Sequence, residues 1–199
     1  MSTRTPARVA QRGMVLISSL LLLIIITILA LSMFRSLSIQ EKIAGNVREK
    51  ERALHAAVSA QQYAEWWLTQ GNNTAIGAIA CVNGFLTAGP NSGQICNQSI
   101  EDQLGGLVPV TQGPFPWPIR VEYTPPNMLL QSANQASVAG NPNYFATPAF
   151  YIADIGLAAD AAGEIYQIAA YAYGSAANTI AVVESTYEVQ QGVVNRGGL

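Results

Sequence analysis

The sequence predicts an α+β fold: a long N-terminal helix, half membrane-spanning and half amphipathic, packed on an antiparallel β-sheet. Three observations carry this reading. An uncharged, strongly apolar run of 21 residues extends from Met14 to Phe34, closed by Arg35. Apolar residues then recur at helical spacing as far as Leu68. Finally, β-branched and aromatic segments surround a Gly/Asn turn near the C-terminus.

The apolar run matches a bilayer-spanning helix, which needs about 20 residues. A secretory signal peptide has a shorter core, about 7–15 residues, with a small-residue cleavage site after it. Here the small residue, Gly13, comes first. A cut there removes only the basic leader, residues 1–13, and leaves the anchor, residues 14–35, on the mature chain. No Pro or Gly interrupts Met14 to Ala44. Ser18, Ser19, Thr27 and Ser32 can bond the backbone one turn back, so a spanning helix can carry them.

After Arg35 the pattern turns amphipathic. Ile39, Ile43, Val47, Leu54 and Val58 recur at spacings of 4, 4, 7 and 4 and form one helix face, expected to lie on the sheet. The opposite face carries Glu41, Lys42, Arg48, Glu49, Lys50, Glu51 and Arg52, where Arg48 and Arg52 repel and other pairs compensate. Gly71, Asn72 and Asn73 stop the helix. One helix is therefore expected from about Val15 to Gln70, with residues 36–70 as its amphipathic half. Gly45 inside it costs about 1 kcal/mol against Ala.

Charge is unevenly placed. Eight of the ten basic residues lie at or before Arg52; from Ala53 onward two basic residues face nine acidic ones, a net of −7. Such a surface is a poor match for nucleic acid, which binds through Lys and Arg. Three arginines in the leader favour a cytoplasmic N-terminus. The head, residues 71–199, is then expected in the periplasm. Cys81 and Cys96 suit an oxidising compartment and can close one loop. Such a disulfide stabilises by about 3 kcal/mol.

Residues 71–118 read as loop-rich, with a short helix around Glu101 to Leu104. Gly113 to Pro118 holds three prolines in six residues and is excluded from regular helix or central strand. Strands are expected at Ile119–Tyr123, Phe150–Leu157, Ile165–Tyr173 and Thr179–Val189, with residues 174–178 as a turn. Residues 124–148 are a Pro/Asn/Gln-rich excursion.

The Gly13–Met14 junction resembles the class III leader of type IV pilins, where a prepilin peptidase cuts after the glycine and the new N-terminus, here Met14, is N-methylated. Gln40-Glu41-Lys42-Ile43-Ala44-Gly45-Asn46-Val47-Arg48 resembles the Glu-Lys-Met-Ala-Gly-Asn segment of PilX-type minor pilins. Tyr173-Gly174 and the return through Val182-Val183-Glu184-Ser185-Thr186-Tyr187 are similar to that family's last two strands. The resemblance covers residues 10–65 and 164–190 and is absent across the middle. It implies a pilin-like fold and a minor pilin that helps prime pilus assembly at or near the tip. The partners it implies are other minor pilins, the major pilin, a tip adhesin, the prepilin peptidase and the inner membrane. A type II secretion pseudopilin is the alternative, although its tip form carries a large extra helical domain for which 199 residues leave no room.

One departure from the family pattern has consequences. Major pilins carry a glutamate five residues after the cut, and Ser18 stands there. The resemblance implies that this carboxylate pairs with the N-terminal ammonium of a neighbouring subunit inside the apolar filament core. Ser18 cannot do so, yet Met14 still presents its own ammonium.

No catalytic constellation is visible. The only histidine, His55, sits on the helix without a nucleophile partner. Glu65 borders Trp66-Trp67, which read as an aromatic pair packed under the sheet. Asp154, Asp160 and Glu164 flank a short loop but match no calcium-loop pattern. No cofactor or metal is expected, and there is no phosphate-binding loop. A membrane-anchored periplasmic enzyme is the remaining and weakest reading.

Overall fold

The computed structural model describes residues 14–71, 73–106, 109–131, 142–159 and 162–190. Helix α1 spans Met14–Leu68. A 3₁₀ turn, Asn73–Ile76, follows, then strand β1 (Gly84–Thr87) and the one-turn helix α2 (Ile100–Gln103). Strands β2 (Ile119–Glu122), β3 (Ala149–Leu157), β4 (Gly163–Tyr173) and β5 (Ile180–Gln190) complete the chain. The described residues form two compact units, divided between Asn46 and Val47. The leader and Gly13 lie outside the described residues, as does Asp160.

The first unit is the helix up to Asn46. Its large apolar side chains from Met14 to Phe34 are all exposed, and it is the one helix among the described residues long and apolar enough to cross a membrane. The second unit is a five-stranded sheet in the order β1-β2-β3-β4-β5. The four strands predicted from the sequence run antiparallel, as expected. β1 is absent from the sequence reading and lies parallel to β2, so the sheet is mixed. Its four residues are all exposed, which leaves no alternation to betray it.

The sheet is covered on both faces. Phe150, Ile152, Tyr166, Ile168, Ala170 and Val121 meet Ala60, Ala64, Trp67 and Leu68 of the helix. Farther along, Ala172 meets Ala56 and Ala57. The alternate residues Ala149, Tyr151, Ala153, Ala169, Tyr171 and Tyr173 pack under Cys81, Cys96, Ile100, Val110 and Trp117. Thus the loop-rich segment is a third layer rather than a peripheral excursion. Burial on both faces explains why the centres of β3 and β4 read as continuous apolar runs.

The helix face that meets the sheet corrects the sequence reading. Val47 and Leu54, expected to lie on it, are 52% and 43% exposed. The buried positions are Ala53, Ala56, Ala57, Ala60 and Ala64, followed by Trp67 and Leu68. Counting only bulky residues picks the wrong stripe. Small side chains let the helix backbone approach a sheet whose own face already carries Phe150, Ile152, Tyr166 and Ile168. The Trp pair splits for the same reason. Trp67 is buried, whereas Trp66 points away from the sheet and tilts against Tyr63. Tyr63 in turn stacks on Tyr123 at 4.2 Å.

The helix end is closed by side chains. Asn73 Nδ2 donates to Trp67 O at 2.8 Å, and Thr69 Oγ1 donates to Trp66 O at 2.6 Å. Both carbonyls also accept from the backbone of the closing turn, Trp66 O from Thr69 N and Trp67 O from Gln70 N, so side chain and main chain together satisfy the last carbonyls of the helix. Gly71 takes the left-handed φ of 54° that the stop requires.

Replacing Ala60 by Leu is expected to destabilise the full chain by about 1–3 kcal/mol through overpacking. Leu54→Ala, on the exposed face, should stay within about 0.5 kcal/mol of wild type. Denaturant unfolding in detergent checks both, and equal effects at the two positions would contradict this assignment of faces.

Candidate functional site

The first unit has no charged side chain between Met14 and Phe34. Three of the four hydroxyls in this run are turned onto the helix: Ser18 Oγ donates to Val15 O at 3.0 Å, Ser19 Oγ to Leu16 O at 3.0 Å and Thr27 Oγ1 to Ile24 O at 2.8 Å. These three hydroxyl hydrogens are satisfied locally, so the surface can sit in lipid or against other apolar helices. Met14 and Ser18 lie one turn apart on this exposed helix. Ser18 has no charge to offer an ammonium.

In the second unit the two cysteines form a disulfide, Cys81–Cys96, with Cα atoms 5.4 Å apart. The bond holds the third layer to the sheet. β2 pairs with β3 only at Val121 and Glu122. Beyond that point Cys96 takes the edge of β3: its N–H donates to Ile152 O, and its carbonyl accepts from Asp154 N, both at 2.8 Å. Ile79 extends the ladder on the far side of Cys96. Within the same loop, Gly93 lies flat on Trp67, where a Cβ would stand 2.5 Å from two ring carbons. One covalent loop therefore both prolongs the sheet and covers the largest buried side chain of the helix.

At the other end of the sheet an ionic cluster ties the helix to the β4–β5 turn. Glu49 Oε2 accepts from Ser175 N at 2.8 Å, and Glu49 Oε1 accepts from Arg52 at 2.9 Å. Arg52 also donates to Pro142 O and stacks over the Tyr144 ring at 4.7 Å. Gln131 Nε2 donates to the carbonyls of Ser175 and Asn143. Burial pushes the Glu49 carboxyl up, but hydrogen bonds from the Ser175 side chain and backbone, with Arg52, outweigh it and hold the group below its ordinary 4.5. The sequence offers the Arg48–Lys50–Arg52 charges as a solvated face. It gives no sign that Glu49 and Arg52 are the inward pair, because their partners lie about ninety and more residues away.

The remaining residues singled out in the sequence are not brought together. His55 is exposed on the helix. Glu65 accepts from Gln61 and from Ser185 on β5. Asp154 accepts from Gly156 N, and Glu164 accepts from the Tyr166 hydroxyl. Among the described residues no group of His, Cys, Asp and Glu is placed to hold a metal ion. The tyrosines are packing residues. Burial, with Asp102 nearby, pushes Tyr151 up to about 12, and its hydroxyl donates to Gln98 O.

Two outcomes follow for the head. Removing the disulfide with Cys81→Ser and Cys96→Ser should lower unfolding stability by about 3 kcal/mol. Glu49→Gln should destabilise by about 1 kcal/mol, a modest figure because the group is partly exposed to solvent. The folded-state value of Glu49 is depressed, so its contribution is present above pH 4.5 and is lost as pH falls through the folded value. Unfolding midpoints measured across the acid range to pH 7 should therefore separate wild type from the variant above about 4.5 and draw together as pH falls through the lower folded value.

Residues 12–65 match the family model described as PilX N-terminal. Comparison with curated proteins and with solved structures gives no match. The matched segment contains the apolar helix with Met14 and Ser18, and the whole alanine stripe from Ala53 to Ala64 that meets the sheet. The helix-on-sheet layout is pilin-like. Over residues 12–65 this chain is similar to the PilX N-terminal domain, and the match does not extend over the head.

Proposed function

We propose that the chain is a structural subunit that helps prime type IV pilus assembly and sits at or near the filament tip. The observation that carries this reading is Ser18, one turn from Met14 on an exposed helical run that holds no charged side chain as far as Phe34. After a cut behind Gly13, Met14 bears the ammonium. Inside an apolar filament core a bare ammonium costs several kcal/mol unless a carboxylate pairs with it. Ser18 cannot supply that carboxylate to a neighbour already in place. It does not stop Met14 from meeting the carboxylate of the next subunit. A subunit of this kind is favoured as the first to enter.

The mechanism has three steps. The prepilin peptidase removes residues 1–13. The helix from Met14 to Phe34 passes from bilayer to filament core, an exchange of one apolar surrounding for another. The disulfide-closed head then contacts neighbouring minor pilins, the major pilin and a tip adhesin. Energy for extraction comes from other proteins. The N-terminus is cytoplasmic and the head periplasmic before assembly.

Two measurements test this. N-terminal sequencing of the protein from membranes should find a chain starting at Met14, N-methylated, only where the peptidase is present. Ser18→Glu should reduce pilus number and allow the subunit to appear along the shaft. If labelling shows unchanged tip position and pilus count in that variant, the charge account of priming fails.

A further inference from the structure

β5 closes the sheet on one side, and among the described residues no strand lies beyond it. Its register against β4 runs without a break from Ile180 to Gln190. Two observations fix which of its backbone groups face outward. Gly163, registered opposite Gln190, turns its carbonyl toward the β3 side, where it accepts from Ala158 N at 2.8 Å. Gly163 and Gln190 are therefore a pair that exchanges no hydrogen bonds, and the Gln190 groups point away from β4. At the other end, Ile180 O accepts from Lys50 Nζ of the helix, so it too points away from β4. Alternation then turns outward the N–H and C=O of Val182, Glu184, Thr186, Glu188 and Gln190. The Lys50 contact marks one end of this open ladder, which runs from Val182 to Gln190 over roughly 27 Å at about 3.4 Å per residue.

Edge strands are commonly blunted by Pro, by a bulge, by charge or by short length. β1, the other edge, is four residues long. β5 has eleven residues, no Pro, no Gly and no bulge, so charge is its one guard. Glu184 and Thr186 are exposed, Glu188 is half-buried, and the three share one face of the strand. Glu184 accepts from the Gln167 amide and Glu188 from the Gln190 amide, neutral partners that leave both charges uncancelled. The ion pairs of this unit among the described residues, Glu49–Arg52 and Glu122–Arg120, do not involve β5. On the other face Val183 and Val189 are partly buried against the helix-side core. The open edge therefore has carboxylates on one side and an apolar row on the other. A second copy adding its own β5 antiparallel sets carboxylate against carboxylate, which is repulsive.

We propose that β5 takes up an extended, basic segment of a different protein as an added strand. In strand addition the backbone hydrogen bonds give affinity and the alternate side chains give selectivity. Glu184 and Glu188 stand four positions apart on one face, so the incoming strand carries Lys or Arg at that same spacing. Its intervening side chains are β-branched and extend the row of Val183 and Val189. The inference rests on the geometry of the second unit alone and goes beyond the filament reading, so it holds whether or not the chain enters a pilus.

The probe is the dye-labelled peptide Thr-Val-Lys-Val-Thr-Val-Lys-Val-Thr, titrated with the full chain in detergent and read by fluorescence anisotropy. Its Kd should be about tenfold lower than that of the same peptide with both lysines replaced by glutamate. Glu184→Lys combined with Glu188→Lys should reverse that preference, with an unchanged unfolding midpoint to exclude a folding defect. Methylating one alternate set of the peptide's backbone nitrogens should abolish binding and methylating the other should not, because only one edge of a strand faces β5. Amide hydrogen exchange should slow at Val182, Glu184, Thr186 and Glu188 when the peptide is added and stay unchanged along β1. Equal Kd for the two peptides, indifference to both methylations, or protection at β1 in place of β5 would overturn the proposal. So would protection of the β5 amides that rises with protein concentration in the absence of peptide, which would assign the edge to a second copy. Neither pilus number nor tip labelling enters this assay, so its failure is distinguishable from failure of the filament reading.

Discussion

The close approach of the helix to the sheet is the constraint on which the second unit depends. It is made possible by Ala53, Ala56, Ala57, Ala60 and Ala64, all buried and all too short to hold the backbones apart. With the helix this near, the sheet side supplies the bulk: Phe150, Ile152, Tyr166 and Ile168 fill the space between them. The same choice forces the helix's larger residues outward. Val47 and Leu54 are left on the surface because the inner face has no room for them. An outward apolar face on a head that also carries a membrane-grade helix suits a subunit that assembles through its helix.

The two ends of the sheet are held by different chemistry. Near the helix terminus, a covalent loop closes over Trp67 and lends Cys96 to the edge of β3. Near Val47, the tie is ionic and hydrogen-bonded, through Glu49, Ser175, Arg52 and Tyr144. A disulfide suits the first end because residues 77–96 contribute few buried apolar side chains of their own. The second end is rich in backbone groups from the turn after Tyr173, which a carboxylate can satisfy. Between them the tyrosines of β3 and β4 anchor the third layer by ring contacts, with Trp117 packed edge-on to Tyr171 at 4.6 Å.

The functional reading draws on both units without a catalytic centre. The apolar helix supplies solubility in lipid or in a filament core, and Ser18 places a neutral hydroxyl one turn from Met14. The head supplies surfaces for neighbours, and its polarity is uneven from one end to the other. Filament chemistry of this kind is a matter of which side chains are left outside, not of groups converged on a reacting atom.

Much was legible in the sequence because it rested on local physics. The uncharged run from Met14, the helix stop at Gly71, the four main strands and the Cys81–Cys96 loop follow from hydropathy, backbone preference and oxidising compartment, which act over a few residues. Tertiary structure alone decided the rest. Alanine is too small and too weakly apolar for a stripe of it to stand out as the buried face; only the bulk opposite it does so. β1, parallel to β2 and wholly exposed, has no pattern to read. Trp66 and Trp67 are indistinguishable as letters, and only the position of the sheet sends one in and one out. Glu49 and Arg52 belong to a charged run until Ser175 and Pro142 arrive from far along the chain. In each case the deciding partner lies distant in sequence, so its effect exists only once the chain has folded.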